Sequence, residues 1–280
     1  MELWIRFSNL AMYFCVMTDE STHKIHKAVD QLWEAHQTGV PCSPVRELIG
    51  EIDIDLAYQI QELFNQRLFD QKGYTRSGFK IGLTSPAVQK QLGVDQPDFG
   101  VIFHQTDIST SCSVAFDDLM QPKVEAEMAF ILGCDVTKTI DDIEDVKKVL
   151  DSVYLSMEIV GSRVLNWDIR ITDTVADNAS ASHYILSEHA MEIGDVDFEA
   201  AKMKLYENGE LKSEGSANAC MGNPLNAVLW LCNTFITRGV ELKKGDVILS
   251  GALGPMVPCI RGAEYRAEIE GLGELSFNIN

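Results

Sequence analysis

The sequence predicts an α+β fold, in which a small helical N-terminal region precedes a larger mixed-β part. Apolar residues recur at helical spacing in the early part of the chain. Beyond it, short runs rich in β-branched and aromatic residues alternate with glycine turns, a pattern typical of strands. With 280 residues, 46% of them hydrophobic, the chain is long enough to bury a large core. No internal repeat or low-complexity segment interrupts this pattern.

The composition divides the chain into three segments. Residues 1–16 are apolar and aromatic, but they lack the cationic start, the longer apolar stretch and the small residues before the cut that a signal peptide has. We therefore expect Met17 to be the natural start and residues 1–16 to be a dispensable extension. Residues 17–79 form the predicted, mainly helical N-terminal region, and residues 80–280 form the predicted mixed-β domain.

Two helices are predicted in the N-terminal region, from Thr18 to about Gln37 and from about Asp53 to Gln66. Each has an apolar face at helical spacing, formed by Ile25, Val29, Leu32 and Trp33 in the first helix and by Leu56, Ile60, Leu63 and Phe64 in the second. Gly39 ends the first helix, and Pro41 and Pro44 break the chain between the two.

Three further helices are predicted among the strands. Ser85 as cap and Pro86 at the first turn begin a short helix that Gly93 closes. Another covers about Asp141 to Leu150. The last begins at Asn223-Pro224 and has an apolar face of Leu225, Val228, Leu229, Cys232 and Phe235. After it, glycine turns join the final strands.

The composition also excludes several kinds of partner. A net charge of −19 and a pI near 4.6 argue against nucleic acid and anionic membranes. No apolar run approaches the length that crosses a bilayer. The seven cysteines are scattered and include no Cys-x-x-Cys pair, which is typical of reduced thiols in a cytoplasmic protein rather than of a disulfide framework or a zinc site.

Common cofactor and nucleophile motifs are absent. The chain has no dinucleotide-binding Gly-x-Gly-x-x-Gly after a strand, no phosphate loop and no Gly-x-Ser-x-Gly elbow. Gly251-Ala-Leu-Gly254 is glycine-rich, but no Lys-Ser or Lys-Thr pair follows it, which argues against phosphate binding. Because the acidic surface repels anions at long range, an anionic substrate would need a local metal ion or a lysine.

Three glutamates are the main candidates for a functional site. Glu125 and Glu127 alternate in a strand-like run, so they share one face about 6–7 Å apart. The opposite face, directed at a core, carries Val124, Ala126, Met128 and Phe130. Two adjacent carboxylates repel each other unless water or a cation separates them. Glu158 lies in an apolar run, where a bare carboxylate is costly to bury. Such a set suits Mg²⁺ or Mn²⁺, and the alternative is a solvated strand face.

Six segments, in order, carry a resemblance to a known family. They are Lys80-Ile-Gly-Leu-Thr-Ser-Pro continuing to Gly100, Gln121-Pro-Lys-Val-Glu-Ala-Glu, Met157-Glu-Ile-Val-Gly-Ser-Arg, Asp173-Thr-Val-Ala-Asp-Asn-Ala-Ser, Gly222-Asn-Pro-Leu-Asn-Ala, and Gly245-Asp-Val-Ile-Leu-Ser-Gly-Ala-Leu-Gly-Pro-Met. Together they resemble the 2-hydroxypenta-2,4-dienoate (2-oxopent-4-enoate) hydratases of the fumarylacetoacetate-hydrolase superfamily. The similarity extends from Met17 to the C-terminus and leaves residues 1–16 unexplained.

The resemblance implies a divalent-metal-dependent hydro-lyase with a mixed-β roll of the fumarylacetoacetate-hydrolase type. Glu125, Glu127 and Glu158 would hold Mg²⁺ or Mn²⁺, which would chelate the carboxylate and the 2-oxygen of a 2-hydroxydienoate or 2-oxo acid substrate. The dienol would first ketonise. Water would then add at C4 to give 4-hydroxy-2-oxopentanoate, in meta-cleavage catabolism of aromatic compounds.

The same resemblance implies roles for further residues. Lys80 and Asp98 would be catalytic, Lys80 as an electrostatic partner of the enolate or a proton donor and Asp98 as an acid, a base or a water-orienting group. Their alternatives are a solvated strand lysine and a turn former. Thr84, Asn178 and Ser180 would bind substrate, although Asn178 and Ser180 also fit ordinary loop chemistry. Arg163 is interpreted as a structural ion-pair partner.

Two rival functions stay open on the sequence. One is a related enzyme with the same metal site, either a 2-oxo-3-hexenedioate (4-oxalocrotonate) decarboxylase or a 2-oxohept-4-ene-1,7-dioate hydratase. Either would need an extra cation for the distal carboxylate of its substrate. The other is a non-catalytic partner of the pathway decarboxylase. The hydrolytic branch of the superfamily is disfavoured, because it typically has an Asp as third ligand where this chain has Glu158. The resemblance also predicts a homo-oligomer and a complex with a pathway decarboxylase.

Overall fold

The structure, a computed structural model, describes residues 19–85, 89 and 94–280. The helices in these ranges are α1 (Asp19–Thr38), α2 (Arg46–Ile49), α3 (Ile54–Lys72), α4 (Ile143–Val149), α5 (Ile171–Ala176) and α6 (Pro224–Arg238). Throughout the described part, no helix combines the length and the apolar character that a membrane span needs. The expected extension at residues 1–16, the start at Met17 and most of the helix expected between Ser85 and Gly93 lie outside the described residues.

The strands form two sheets. In chain order they are β1 (Arg76–Gly82), β2 (Asp98–Phe103), β3 (Ser113–Val114), β4 (Lys123–Leu132), β5 (Leu150–Val160), β6 (Ala181–Leu186), β7 (Lys202–Glu207), β8 (Glu210–Ser216), β9 (Val247–Leu249), β10 (Val257–Pro258), β11 (Glu264–Ile269) and β12 (Gly273–Ile279). One sheet has seven strands in the order β2-β1-β9-β4-β5-β6, with β10 paired to β4. The other has five, in the order β3-β12-β11-β7-β8. The predicted α+β class is confirmed.

The larger sheet curls into a roll. Its two edge strands, β2 and β6, approach each other, and the chain just after β2 bonds to β6 through Ile108 N and Tyr184 O, 2.9 Å apart. A small core inside the roll contains Ile102, Ala129, Tyr184, Val247 and Leu249. Because side chains alternate across a strand, every strand of this sheet has one face inside the roll and one outside.

Strand β4 shows how these two faces differ. Val124, Ala126, Met128 and Phe130 are fully buried in the core shared with the five-stranded sheet, as the alternation predicted. The opposite face contains Glu125 and Glu127 and continues to Ala129 in the interior core of the roll. The two glutamates therefore project into the roll, where water is scarce.

The predicted helices of the N-terminal region are observed as α1 and α3. Asp53 caps α3 by accepting from Leu56 N at 2.9 Å, and Gly73, in the left-handed conformation, follows its last turn. Helix α3 continues past the predicted end at Gln66, because Leu68 is buried there and Phe69 packs edge-on against Phe103. The single turn α2 was not predicted.

The predicted helices near residues 141–150 and 223 are also observed. Asp142 caps α4 through Asp145 N at 3.0 Å, and Asn223 caps α6 through Leu225 N at 2.9 Å. Helix α5 was missed because its six residues are too few to show a helical period and all of them are buried. This helix packs against α2, α3 and β2, so it connects the N-terminal helices to the roll.

Two buried aspartates, Asp173 within α5 and Asp177 directly after it, form ion pairs with arginines from outside the helix. Arg46 binds Asp173 at 2.5 Å, and Arg163 binds Asp177 at 2.7 Å while also donating its backbone N–H to that carboxylate at 2.8 Å. Arg163 additionally stacks over the Phe64 ring. The interpretation of Arg163 as an ion-pair partner is confirmed.

Loss of the Arg163 side chain is expected to destabilise the fold. Arg163→Ala leaves the fully buried Asp177 carboxylate without its counter-charge, so the free energy of unfolding should fall by about 3–5 kcal/mol. Urea denaturation measures this. Arg261→Ala is the matched control, because Arg261 and its partner Asp117 are both exposed and the pair contributes little. An equal loss of unfolding free energy in both variants would contradict a stabilising role for the Arg163–Asp177 ion pair.

Candidate functional site

The three predicted glutamates meet at one end of the roll interior. Glu125 on β4 lies directly opposite Glu158 on β5, and Glu127 is the next residue on the same face of β4. One carboxylate oxygen from each residue lies within 4.8 Å of the others. Glu125, Glu127 and Glu158 are only 7%, 0% and 1% exposed. The alternative of a solvated strand face is therefore wrong.

The carboxylates have few protein donors. Glu127 Oε2 accepts from Gly251 N, whereas no donor among the described residues reaches Glu127 Oε1 or Glu158 Oε1. Burial, followed by the charge of Glu158, raises the pKa of Glu125 to about 7, and burial with the same neighbour raises the pKa of Glu127 well above its usual value. Ionising all three buried carboxylates without a cation would cost free energy, because burial and mutual repulsion both disfavour the charged forms.

Lys80 supplies the one positive charge that contacts this cluster directly among the described residues. It lies on β1, is 3% exposed, and places Nζ 3.3 Å from Glu158 Oε2. Nζ also donates to Ala179 O at 3.0 Å. Burial by itself would lower the pKa of Lys80, but Glu158 and Glu125 raise it above the ordinary lysine value, so the ammonium stays charged. The alternative of a solvated strand lysine is wrong.

Asp98 lies beside Lys80 because Gly82 leaves room. Asp98 on β2 pairs with Gly82 on β1, and Lys80 is the next residue on that face. A Cβ on Gly82 would be 2.3 Å from Asp98 Oδ1 and 3.4 Å from Lys80 Nζ. Asp98 is 1% exposed, so its carboxyl group is shielded from water. Burial raises its pKa, and Lys80 opposes this shift.

The predicted substrate contacts Thr84 and Ser180 are both buried near this group. Thr84 follows β1 and packs against Gly251, where a Cβ would lie 2.4 Å from Thr84 Oγ1. Ser180 Oγ lies 3.3 Å from Thr174 Oγ1. Their contact with substrate stays a prediction.

Asn178 is placed differently. Its side-chain amide forms hydrogen bonds with the backbone of Val101 and with the side chain of Asn65. The side chain thus joins the loop before β6 to strand β2. These hydrogen bonds favour a structural role for the Asn178 side chain over direct contact with substrate.

Gly251 is a site residue that motif reading missed. It follows β9, has φ of 104°, and its backbone N–H is the donor to Glu127. Only glycine adopts this conformation readily, and a side chain would also collide with Thr84. The sequence pattern of its segment, Gly251-Ala-Leu-Gly254, argued against phosphate binding. The close approach of the Gly251 backbone to the Glu127 carboxylate explains why glycine occupies this position.

Comparison with known proteins identifies the family of this chain. Residues 79–280 match the family described as fumarylacetoacetate (FAA) hydrolase, C-terminal. The chain belongs to the fumarylacetoacetate hydrolase family. The resemblance inferred from the six segments is thereby confirmed at the level of family.

Members of this family similar to the chain include several hydratases. The chain is 47% identical over 255 residues to the TodF product hydratase of Pseudomonas putida, covering 91% of this chain and 95% of that protein. It is 42% identical over 259 residues to a 2-keto-4-pentenoate hydratase of Paraburkholderia phymatum, covering 92% and 98%. Its fold matches 4-oxalocrotonate decarboxylase from Pseudomonas putida G7, complexed with magnesium and adipate, with a TM-score of 0.87, 26% identity, and coverage of 95% and 99%.

Proposed function

We propose that this protein is a divalent-metal-dependent hydratase that adds water to 2-hydroxypenta-2,4-dienoate to give 4-hydroxy-2-oxopentanoate in the meta-cleavage catabolism of aromatic compounds. The observation that carries the proposal is the buried group of Glu125, Glu127 and Glu158 with Lys80 beside it. The sequence relatives named hydratases, which align with nearly the whole chain, support the reaction type.

The residues present fit a hard divalent cation. All candidate donor atoms are carboxylate oxygens, and Glu127 Oε1 and Glu158 Oε1 are buried without any described donor. Oxygen-only donors suit Mg²⁺ or Mn²⁺ rather than softer ions. We therefore assign the three glutamates as the ligands of Mg²⁺ or Mn²⁺. When bound, the ion supplies a Lewis acid that offsets the negative charge of a 2-oxo acid.

Lys80 stabilises negative charge in this proposal. An ammonium has three hydrogens, of which the structure uses one in a hydrogen bond to Ala179 O, and Nζ also forms an ion pair with Glu158 Oε2 at 3.3 Å. The hydrogens that do not donate to Ala179 O can bind the substrate's carboxylate or its 2-oxygen as charge develops there. Burial strengthens this interaction, because little water screens it.

Asp98 is assigned the proton transfer. Ketonisation of the dienol moves a proton to C5, and hydration then places a hydroxyl at C4 and a proton at C3. Burial raises the pKa of the Asp98 carboxyl group, so this group holds a proton more firmly than an exposed aspartate and can release it to carbon. The buried position of Asp98 next to Lys80 fits this task.

A dicarboxylate substrate is the main alternative. The fold neighbour with a TM-score of 0.87 is a decarboxylase solved with adipate, a dicarboxylate. Such a substrate needs a second cation, and Lys123 lies on the same face of β4 as Glu125, with Nζ 4.1 Å from the centre of the Trp167 ring. The sequence relatives favour the shorter monocarboxylate.

A substrate comparison tests the proposal. Ultraviolet absorbance should show Mg²⁺-dependent loss of freshly made 2-hydroxypenta-2,4-dienoate, with kcat/KM clearly above the values for the six- and seven-carbon dicarboxylates. Release of CO₂ from 2-oxo-3-hexenedioate would assign the decarboxylase instead. Binding of Mg²⁺ without consumption of any of these compounds would assign a non-catalytic partner of the pathway decarboxylase.

We also propose that the protein works as a homo-oligomer in the cytoplasm and forms a complex with a pathway decarboxylase. Resemblance to its family supports the assembly, and the scattered cysteines support the compartment. None of the six described cysteines is in a disulfide. Light scattering of the purified protein, alone and with the decarboxylase, measures both assemblies.

A further inference from the structure

We propose that Asn178 is a positioning residue for Lys80. Its side chain clamps a left-handed turn, Asn178–Ser180, so that the carbonyl oxygen of Ala179 holds the Lys80 ammonium in place. The inference rests on the proposed hydratase function and deepens it, because it replaces the predicted substrate contact of Asn178 with a role exerted through Lys80.

The turn has an unusual backbone. Asn178, Ala179 and Ser180 have φ of 56°, 51° and 57°, so three consecutive residues with side chains adopt the left-handed conformation. This conformation is unfavourable for residues that carry a Cβ, and runs of it are rare. Such backbone persists only where its surroundings hold it, and it is concentrated at functional sites.

The Asn178 side chain helps to stabilise this left-handed backbone through its hydrogen bonds. Its Oδ1 accepts from Val101 N at 2.8 Å and its Nδ2 donates to Val101 O at 2.8 Å, so the amide pairs with β2 as a neighbouring strand would. Asn65 Nδ2 on α3 also donates to Oδ1 at 3.0 Å. Gly100 allows the close approach, because a Cβ there would lie 2.3 Å from Asn178 O.

The clamped turn directs one carbonyl at the site. Ala179 O accepts from Lys80 Nζ at 3.0 Å. The ammonium is otherwise attracted toward the carboxylates of Glu158, Glu125 and Asp98. A neutral carbonyl restrains the ammonium without neutralising it, so the charge of the ammonium and its hydrogens that do not bond to Ala179 O remain available to substrate. Asn178 itself is 2% exposed, which fits a residue acting through another.

The first test is Asn178→Gly in the Mg²⁺- or Mn²⁺-loaded protein. Glycine accepts the left-handed backbone without strain but removes the clamp. Because small misplacements of a reacting group cost up to about 10²-fold in rate, kcat should fall by about 10- to 100-fold. KM and the Mn²⁺ affinity measured by calorimetry should change little, since the glutamates are untouched. An unchanged kcat would overturn the proposal.

A double-mutant cycle separates positioning from a general structural role. If Asn178 acts through Lys80, Asn178→Gly should cause no further loss of kcat in a Lys80→Met background. The same loss in both backgrounds would overturn the proposal and assign Asn178 a role independent of Lys80. An inactive wild-type protein would instead refute the proposed hydratase function, so the two failures are distinguishable.

Two more variants serve as a control for this test and as a substitute if Asn178→Gly does not fold. Asn208→Gly is the matched control, because Asn208 is also left-handed, with φ of 50°, and its side chain also accepts a backbone hydrogen bond, from Glu264 N at 3.0 Å, but in the β7–β8 turn. It should leave kcat unchanged. If Asn178→Gly does not fold, Asn65→Ala removes one bond of the clamp and should give a smaller loss of kcat that also disappears in the Lys80→Met background. An additive loss there would overturn the proposal.

Discussion

Mg²⁺-dependent turnover should fall by about 10²–10³-fold or more when Glu127 is replaced by Gln, since the Lewis acid contributes several kcal/mol and each 1.36 kcal/mol is tenfold in rate. Gln keeps an oxygen that can accept from Gly251 N, so the surrounding backbone should be preserved. Mn²⁺ calorimetry should show weaker binding. Full activity of Glu127→Gln, or of wild type after EDTA treatment, would refute the metal assignment.

The same variant should not destabilise the metal-free protein. Burial and the neighbouring carboxylates raise the pKa of Glu125 to about 7 and that of Glu127 well above its usual value. The folded state therefore binds more protons than the unfolded state between the ordinary glutamate pKa and these raised values. Over that window, the stability of the metal-free wild type falls as pH rises. Glu127→Gln should reduce this slope in thermal unfolding measured from pH 5 to pH 8.

Glu214→Gln is the matched control for Glu127→Gln, because Glu214 is an exposed glutamate on β8. The control should change neither metal affinity nor turnover. A steeper pH slope in metal-free Glu127→Gln than in wild type would contradict the repulsion argument even if turnover were lost.

Lys80→Met should lower turnover by about 10²–10⁴-fold, a range that covers the loss of one group that stabilises developing negative charge and the loss of one acid–base group. Methionine has a similar length and fills the buried space, but it cannot hold charge or donate a hydrogen bond. Mn²⁺ affinity should be nearly unchanged, because all three carboxylates remain. Steady-state kinetics together with calorimetry measure both quantities. Lys204→Met, at an exposed position of β7, is the matched control and should behave like wild type.

The pattern of kinetic change identifies what Lys80 does. A rise in KM with kcat intact would mean that Lys80 binds substrate and transition state equally, as a carboxylate anchor. A fall in kcat would mean that it acts on charge or protons in the transition state. Normal kinetics in Lys80→Met would remove Lys80 from the mechanism.

Much of the fold could be predicted because local signals were strong. The helices α1, α3, α4 and α6 had clear apolar periods or caps, and Asp53, Asp142 and Asn223 cap their helices as such residues do. Helix α5 could not be predicted, since a short and wholly buried segment has no polar face to give a period. Its surroundings come from distant parts of the chain, and Arg46 binds Asp173 within it.

The sequence by itself determined the family, the alternation that puts Glu125 and Glu127 on one face, and the choice of Glu158 as their companion. Only the tertiary structure decided that these carboxylates are buried, because burial depends on the curling of the sheet into a roll and not on alternation. It also decided the contacts of Lys80 with Ala179 and of Asn178 with Val101, which join residues 99 and 77 positions apart. Local pattern encodes which face a side chain takes; long-range packing decides which groups meet there and how strongly they interact.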